Sequence, residues 1–128
     1  MEEAKILLVD DEVVFTNNIS RLLANRGYRV TAVYDGESAI RVLEKEQFDV
    51  VVLDLRMPGI DGIITLAAIK KLGLFTEILL LTGYGSMNTA VEAMKLGAYD
   101  YLSKPCDVDE LVAKIEEVWK KIKKTRRA

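Results

Sequence analysis

Histidine is absent from this 128-residue chain, cysteine occurs once, at Cys106, and proline only twice. Any step that needs an imidazole must therefore borrow it from another molecule. A single cysteine excludes an internal disulfide. The apolar residues come in bursts of four to six, never in the run of about 18 that a membrane span requires. The N-terminus "MEEAKILLVDDE" puts acids before its apolar run and has no small-residue cleavage site after it, so it is not a secretory signal. These features together predict a cytoplasmic protein with no membrane association. A net charge of −2 and a pI near 5.3 argue against direct nucleic-acid binding, although the end "KKIKKTRRA" is locally basic. The P-loop pattern G-x-x-x-x-G-K-[ST] is missing, and "GYGS" lacks the third glycine of a dinucleotide loop, which disfavours a nucleotide-binding domain.

What is present is enough apolar residue, half of the chain, for one domain with a sizeable core. Five short apolar runs recur: "KILLV" (5 to 9), "YRVTAV" (28 to 33), "DVVVL" (49 to 53), "EILLL" (77 to 81) and the weaker "AYDYL" (98 to 102). The first, third and fourth are continuous in Leu, Ile and Val, as central parallel strands covered on both faces are. The second alternates, which predicts an edge. Between the runs the apolar period becomes helical. Phe15, Ile19, Leu22 and Leu23 predict a first helix closed by Gly27; Ala39, Val42 and Leu43 a second; Ile63, Leu66, Ala67 and Ile69 to Lys70 a third; Ala90, Ala93 and Met94 a fourth closed by Gly97. Asp107 and Glu110 have capping-box spacing before a stripe of Val108, Leu111, Ile115, Val118, Trp119 and Ile122. Strand and helix alternating five times imply an α/β fold, a parallel sheet with helices on both faces.

In such a sheet ligands bind at the carboxyl ends of the strands. Those ends carry Asp10, Asp11 and Glu12; Asp54; Thr82; and, after the fifth, Lys104 and Pro105. Carboxylates gathered in one crevice repel and call for a cation or a shared proton, and hard oxygen ligands suit Mg²⁺. Asp54 beside such an ion is a candidate nucleophile toward phosphorus, with Lys104 and the Thr82 hydroxyl binding the transferred oxygens. The turn "RMPGIDG" would bring the Arg56 carbonyl toward the metal. Each residue singly also has an ordinary role. Asp10 and Asp11 suit a helix cap, Asp54 a turn, Thr82 a strand, Lys104 a solvated surface and Tyr101 half-buried packing. Cys106 reads as a small packing residue.

The motifs "ILLVDDE", "VVVLDLRMPGIDG", "LLLTGYGS" and "AVEAMKLGAYDYLSKP" together resemble a receiver domain of two-component response regulators. The stretch from "GYGS" to "LSKP" is most similar to receivers of sigma-54-dependent transcriptional activators, including the C4-dicarboxylate transport regulators. The resemblance implies a five-stranded sheet in order 2-1-3-4-5 and phosphorylation of Asp54 by a phosphohistidine on a sensor histidine kinase. It also implies Mg²⁺ held by Asp11, Asp54 and the Arg56 carbonyl, with Asp10 acting mainly through water. Thr82 and Tyr101 would be switch residues, Lys104 would bind the phosphoryl group, and Pro105 would follow a cis bond. Arg56 and Tyr84 would overhang the phosphoryl group and set its lifetime.

The surface of the fourth helix, fifth strand and fifth helix would then control homodimerisation and an output domain, with ATPase and DNA-binding parts, that this chain does not contain. Residues 1–124 are expected to form the receiver and residues 125–128 to begin a basic linker or tail. The basic residues there also suit a helix C-terminus. A receiver catalyses only its own phosphotransfer and autodephosphorylation and is not a turnover enzyme. A haloacid dehalogenase-type phosphohydrolase also uses a strand-end Asp with Mg²⁺, but it normally carries an acid two residues later, where this chain has Arg56, and the chain has no room for a cap domain. A receiver-like binding module that is never phosphorylated is a further alternative.

Overall fold

The computed structural model describes residues 4–56, 61–83, 87–104 and 106–127. Five strands alternate with five helices in chain order: β1 (Lys5–Val9), α1 (Val13–Asn25), β2 (Arg29–Val33), α2 (Gly36–Lys45), β3 (Val50–Leu53), α3 (Gly62–Lys71), β4 (Glu77–Thr82), α4 (Met87–Lys95), β5 (Asp100–Ser103) and α5 (Val108–Arg127). The strands form one parallel sheet in the order β2-β1-β3-β4-β5. The alternating run β2 lies at an edge, as its pattern predicts, and the continuous runs β1, β3 and β4 occupy the centre.

Strand alternation divides the core in two, because successive side chains point to opposite faces. Leu7, Val9, Val51, Leu53, Ile78 and Leu80 pack with Ala39 and Leu43 of α2, Leu66 and Ile69 of α3, and Ala90 and Ala93 of α4. Ile6, Leu8, Val50, Val52, Leu79 and Leu81 pack with Ile19 and Leu23 of α1 and with Leu111, Ile115, Val118, Trp119 and Ile122 of α5. A sheet buried on both faces leaves only its ends and edges to make a site.

The helix ends follow local chemistry. Asp35 caps α2 by accepting from the Ser38 N–H at 2.7 Å, and Asp61 caps α3 by accepting from the Ile64 N–H at 2.9 Å. Gly27 and Gly97 adopt φ of 99° and 109°, the left-handed conformation that a chain reversal after a helix requires. Two details differ from the periodicity. Leu22 is 41% exposed, while Thr16 is fully buried in its place because its hydroxyl donates to the Asp10 carbonyl at 3.2 Å. The fifth strand starts at Asp100, two residues later than the apolar run "AYDYL", because Ala98 is spent on the core against α4. Helix α5 continues past residue 124 to Arg127. Among the described residues no helix is long and apolar enough to cross a membrane.

Candidate functional site

Strand register brings the functional residues to one edge. Val9 is level with Leu53, Leu53 with Leu80, and Thr82 with Ser103, so the strand ends open onto one crevice. The ladder continues one residue beyond the strands: the Asp54 N–H donates to the Val9 carbonyl at 2.9 Å and the Asp10 N–H to the Val33 carbonyl at 3.2 Å. Both carboxylates are therefore fixed by backbone at the crevice floor, Asp10 1% and Asp54 4% exposed. Lys104 is fixed likewise, its N–H donating to the Thr82 carbonyl at 2.6 Å.

Behind Asp54 the backbone is braced by Gly62. A Cβ at this position would lie 2.3 Å from Leu55 Cα and 2.8 Å from the Asp54 carbonyl oxygen, so only glycine fits. The Gly62 N–H also donates to the Leu55 carbonyl at 3.1 Å. Glycine at this point lets α3 start directly against the loop that carries Asp54.

Lys104 Nζ lies 2.6 Å from Asp10 Oδ2, 2.6 Å from Glu12 Oε1 and 3.5 Å from Asp54 Oδ2. It also sits over the Phe15 ring, 4.7 Å from the centroid. Asp10 Oδ1 accepts from the Glu12 N–H at 3.0 Å and Asp54 Oδ1 from the Arg56 N–H at 3.1 Å. Burial above all pushes the Asp54 carboxyl up from 3.8 to about 6; the Arg56 N–H and the Lys104 charge oppose this, and the Asp10 charge adds to it. Burial acts against the charge on Lys104, but Asp10, Glu12 and Asp54 outweigh it and hold the ammonium above the ordinary lysine range.

Carboxylate oxygens of Asp10, Glu12 and Asp54 all lie within 4.8 Å of one another. Asp10 Oδ2 is buried and meets the Lys104 ammonium at 2.6 Å. Three converging hard oxygens fit a Mg²⁺ ion, which binds through a few carboxylates and keeps water in its remaining positions.

The structure thus brings together Asp10, Asp54, Lys104 and, through its carbonyl, Thr82. Asp11 is half-buried and stands outside the triad of carboxylates. Arg56 borders Asp54 through its N–H, with an exposed side chain. Tyr101 is half-buried; it pairs with Leu80 and packs on the same face of the sheet, the face to which alternation also turns Thr82. Tyr84, Pro58, Gly59 and Pro105 lie outside the described residues, and with them the lifetime role of Tyr84 and the cis bond. Cys106 packs against the core beneath α5, and burial pushes its thiol up. The residue to which sequence reading gave no role is Glu12. Beyond its place among the acids at the end of the first strand, its sequence signal is a glutamate immediately before a helix, where Ser, Thr, Asp or Asn is the usual cap.

The chain is similar in sequence and in fold to known proteins. The family model described as the response regulator receiver domain matches residues 6–116. The transcriptional regulatory protein ZraR of Escherichia coli is 43% identical over 112 residues, covering 88% of this chain and 25% of that protein. The chain thus spans about a quarter of the length of this relative. Among solved structures, NtrX from Brucella abortus superposes with a TM-score of 0.92 at 31% identity, covering 98% of this chain and 29% of that one. A receiver domain protein from Clostridium thermocellum superposes with a TM-score of 0.88 at 35% identity, covering 94% and 97%.

Proposed function

The chain belongs to the response regulator receiver domain family, and from that premise we propose that it is a signalling switch set by phosphorylation of Asp54. The observation that carries this reading is the convergence of Asp10, Glu12, Asp54 and Lys104 at the carboxyl ends of the sheet. The donor is a phosphohistidine on a sensor histidine kinase, as membership of the receiver family suggests, and the absence of histidine from this chain is consistent with that. An Asp54 carboxylate oxygen forms the new O–P bond as the P–N bond to the donor breaks. The electron pair of that bond passes to the leaving imidazole, which takes up a proton.

Asp54 is held for this reaction by its two backbone anchors, its own N–H on Val9 and the Arg56 N–H on its Oδ1. Lys104 meets the transferred oxygens with its ammonium, and Thr82, one strand over, supplies its hydroxyl. Asp11, Asp54 and the Arg56 carbonyl would hold Mg²⁺, with Asp10 acting mainly through water. When bound, the ion offsets the charge that gathers on the phosphoryl oxygens. Tyr101, on the same face as Thr82, carries the change to the surface of α4, β5 and α5.

That surface governs homodimerisation and an output domain of the longer regulator, a sigma-54-dependent transcriptional activator in the cytoplasm. The names of transcriptional regulatory relatives and the helical continuation of α5 to Arg127 support this reading. The protein catalyses its own phosphotransfer and dephosphorylation only. Intact mass after incubation with acetyl phosphate and Mg²⁺ tests the proposal. One phosphoryl group is expected on the wild type, with none on Asp54→Asn and none after chelation of Mg²⁺. Equal labelling of Asp54→Asn would refute it.

A further inference from the structure

Glu12 occupies the N-cap of α1 yet makes no side-chain cap hydrogen bond. Its carboxylate reaches instead across 92 residues of sequence to Lys104 Nζ, at 2.6 Å. The resting ammonium is thus seated between Asp10 and Glu12, over the Phe15 ring one turn along α1, and stands farther, at 3.5 Å, from Asp54. The arms of this cradle differ. Asp10 is 1% exposed and anchored by backbone, whereas the Glu12 side chain is 60% exposed and free to swing into water. With one end in water, such a pair is weakened by solvent screening, so Glu12 is the arm that can be released.

We propose that Glu12 is a positioning residue that holds Lys104 on the α1 side of the crevice in the resting protein, and that its release lets the ammonium advance onto the phosphoryl group. This rests on the reading of Asp54 as phosphoryl acceptor. Glu12 touches neither substrate nor reacting atom in this role; it acts through Lys104. Its identity then sets how readily the site accepts a phosphoryl group, separately from the buried residues that make acceptance possible.

Two measurements on the full chain test it. Thermal melts of metal-free wild type, Glu12→Gln, Lys104→Met and the double variant form a cycle. The single effects should fail to add by roughly 2–4 °C in Tm, the coupling of a contacting charge pair. A Glu12 that served only the helix end would give additive effects, and that result overturns the pairing. The second measurement is the rate of phosphoryl uptake from acetyl phosphate at saturating Mg²⁺. Both Glu12→Gln and Glu12→Asp should accept about threefold faster, the gain from removing an exposed ion pair that competes with the reaction.

Glu12→Asp keeps the charge and shortens the reach, so acceleration confined to Glu12→Gln would make bulk charge the cause and overturn the holding role. Unchanged rates in both variants would overturn it as well. Should even the wild type take up no phosphoryl group, the assignment of Asp54 falls, while the melting cycle still decides whether Glu12 holds Lys104.

Discussion

Replacing Asp54 by asparagine should stabilise the metal-free protein, and the gain should depend on pH in a defined sense. The Asp54 carboxyl is raised from 3.8 to about 6, first by burial and then by the Asp10 charge, against the Arg56 N–H and Lys104. A carboxyl whose folded value exceeds its unfolded value costs stability wherever the folded state holds it ionised. Well below pH 3.8 both states are protonated and the cost is absent; it grows as the pH rises from about 3.8 to about 6 and is complete above that. A shift of this size corresponds to roughly 3 kcal/mol. Asparagine keeps the acceptor for the Arg56 N–H but must itself be buried, so a gain of about 2 kcal/mol is expected at neutral pH.

For a chain of this length that is roughly 8 °C in Tm. The assay is thermal unfolding followed by circular dichroism, in chelator, at pH 7.5 and at pH 4. Asp54→Asn should melt higher at pH 7.5, and at pH 4 most of that gain should be gone. A variant no more stable at pH 7.5, or one stabilised equally at both pH values, would refute the account of a strained acidic crevice.

Mg²⁺ should act in the opposite direction on the same pair: at about 100 times its dissociation constant it should stabilise the wild type by roughly 2.7 kcal/mol, and Asp54→Asn should lose most of this, as melts with and without the ion will show. Gly62→Ala should cost about 2–3 kcal/mol, because its methyl group would overlap the Leu55 and Asp54 backbone. It should also slow phosphoryl uptake, and an alanine variant that melts and labels like the wild type would contradict the bracing role. Leu111→Ala, at a fully buried position between α5 and the sheet, should cost about 2–5 kcal/mol in urea unfolding. Small residues at both Arg56 and Tyr84 should shorten the phosphorylated lifetime, measured as loss of the phosphoryl adduct after the donor is removed; an unchanged lifetime would argue against their overhanging role.

Much of the fold could be read from the chain because β1, β3 and β4 are buried on both faces, which forces continuous Leu, Ile and Val. Strand β5 is less legible. Asp100 and Ser103 put polar side chains on a strand at the sheet edge, and Ala98 extends the apolar run beyond the paired residues. Leu22 misled for a similar reason, since periodicity alone does not reveal that Thr16 can be buried once its hydroxyl has the Asp10 carbonyl as acceptor.

In the site, Asp10, Asp54, Thr82 and Lys104 were legible because each follows or ends a recognisable strand. Glu12 stood among the strand-end acids, but its pairing with Lys104 was not legible, because that partner is a side chain on the far side of the sheet order and no local pattern records the meeting. Gly62 was visible as a glycine, but its reason, close approach to the Asp54 loop, needed three dimensions.

The central claim is that Asp54 itself takes the phosphoryl group, and the most direct measurement is chemical trapping. After acetyl phosphate and Mg²⁺ treatment, borohydride reduces an acyl phosphate to an alcohol, and peptide mapping by mass spectrometry then locates the change. Homoserine at position 54, absent when Mg²⁺ is chelated, is the predicted result. Homoserine at another acid of the crevice, or none in protein that carries a phosphoryl adduct, would contradict it.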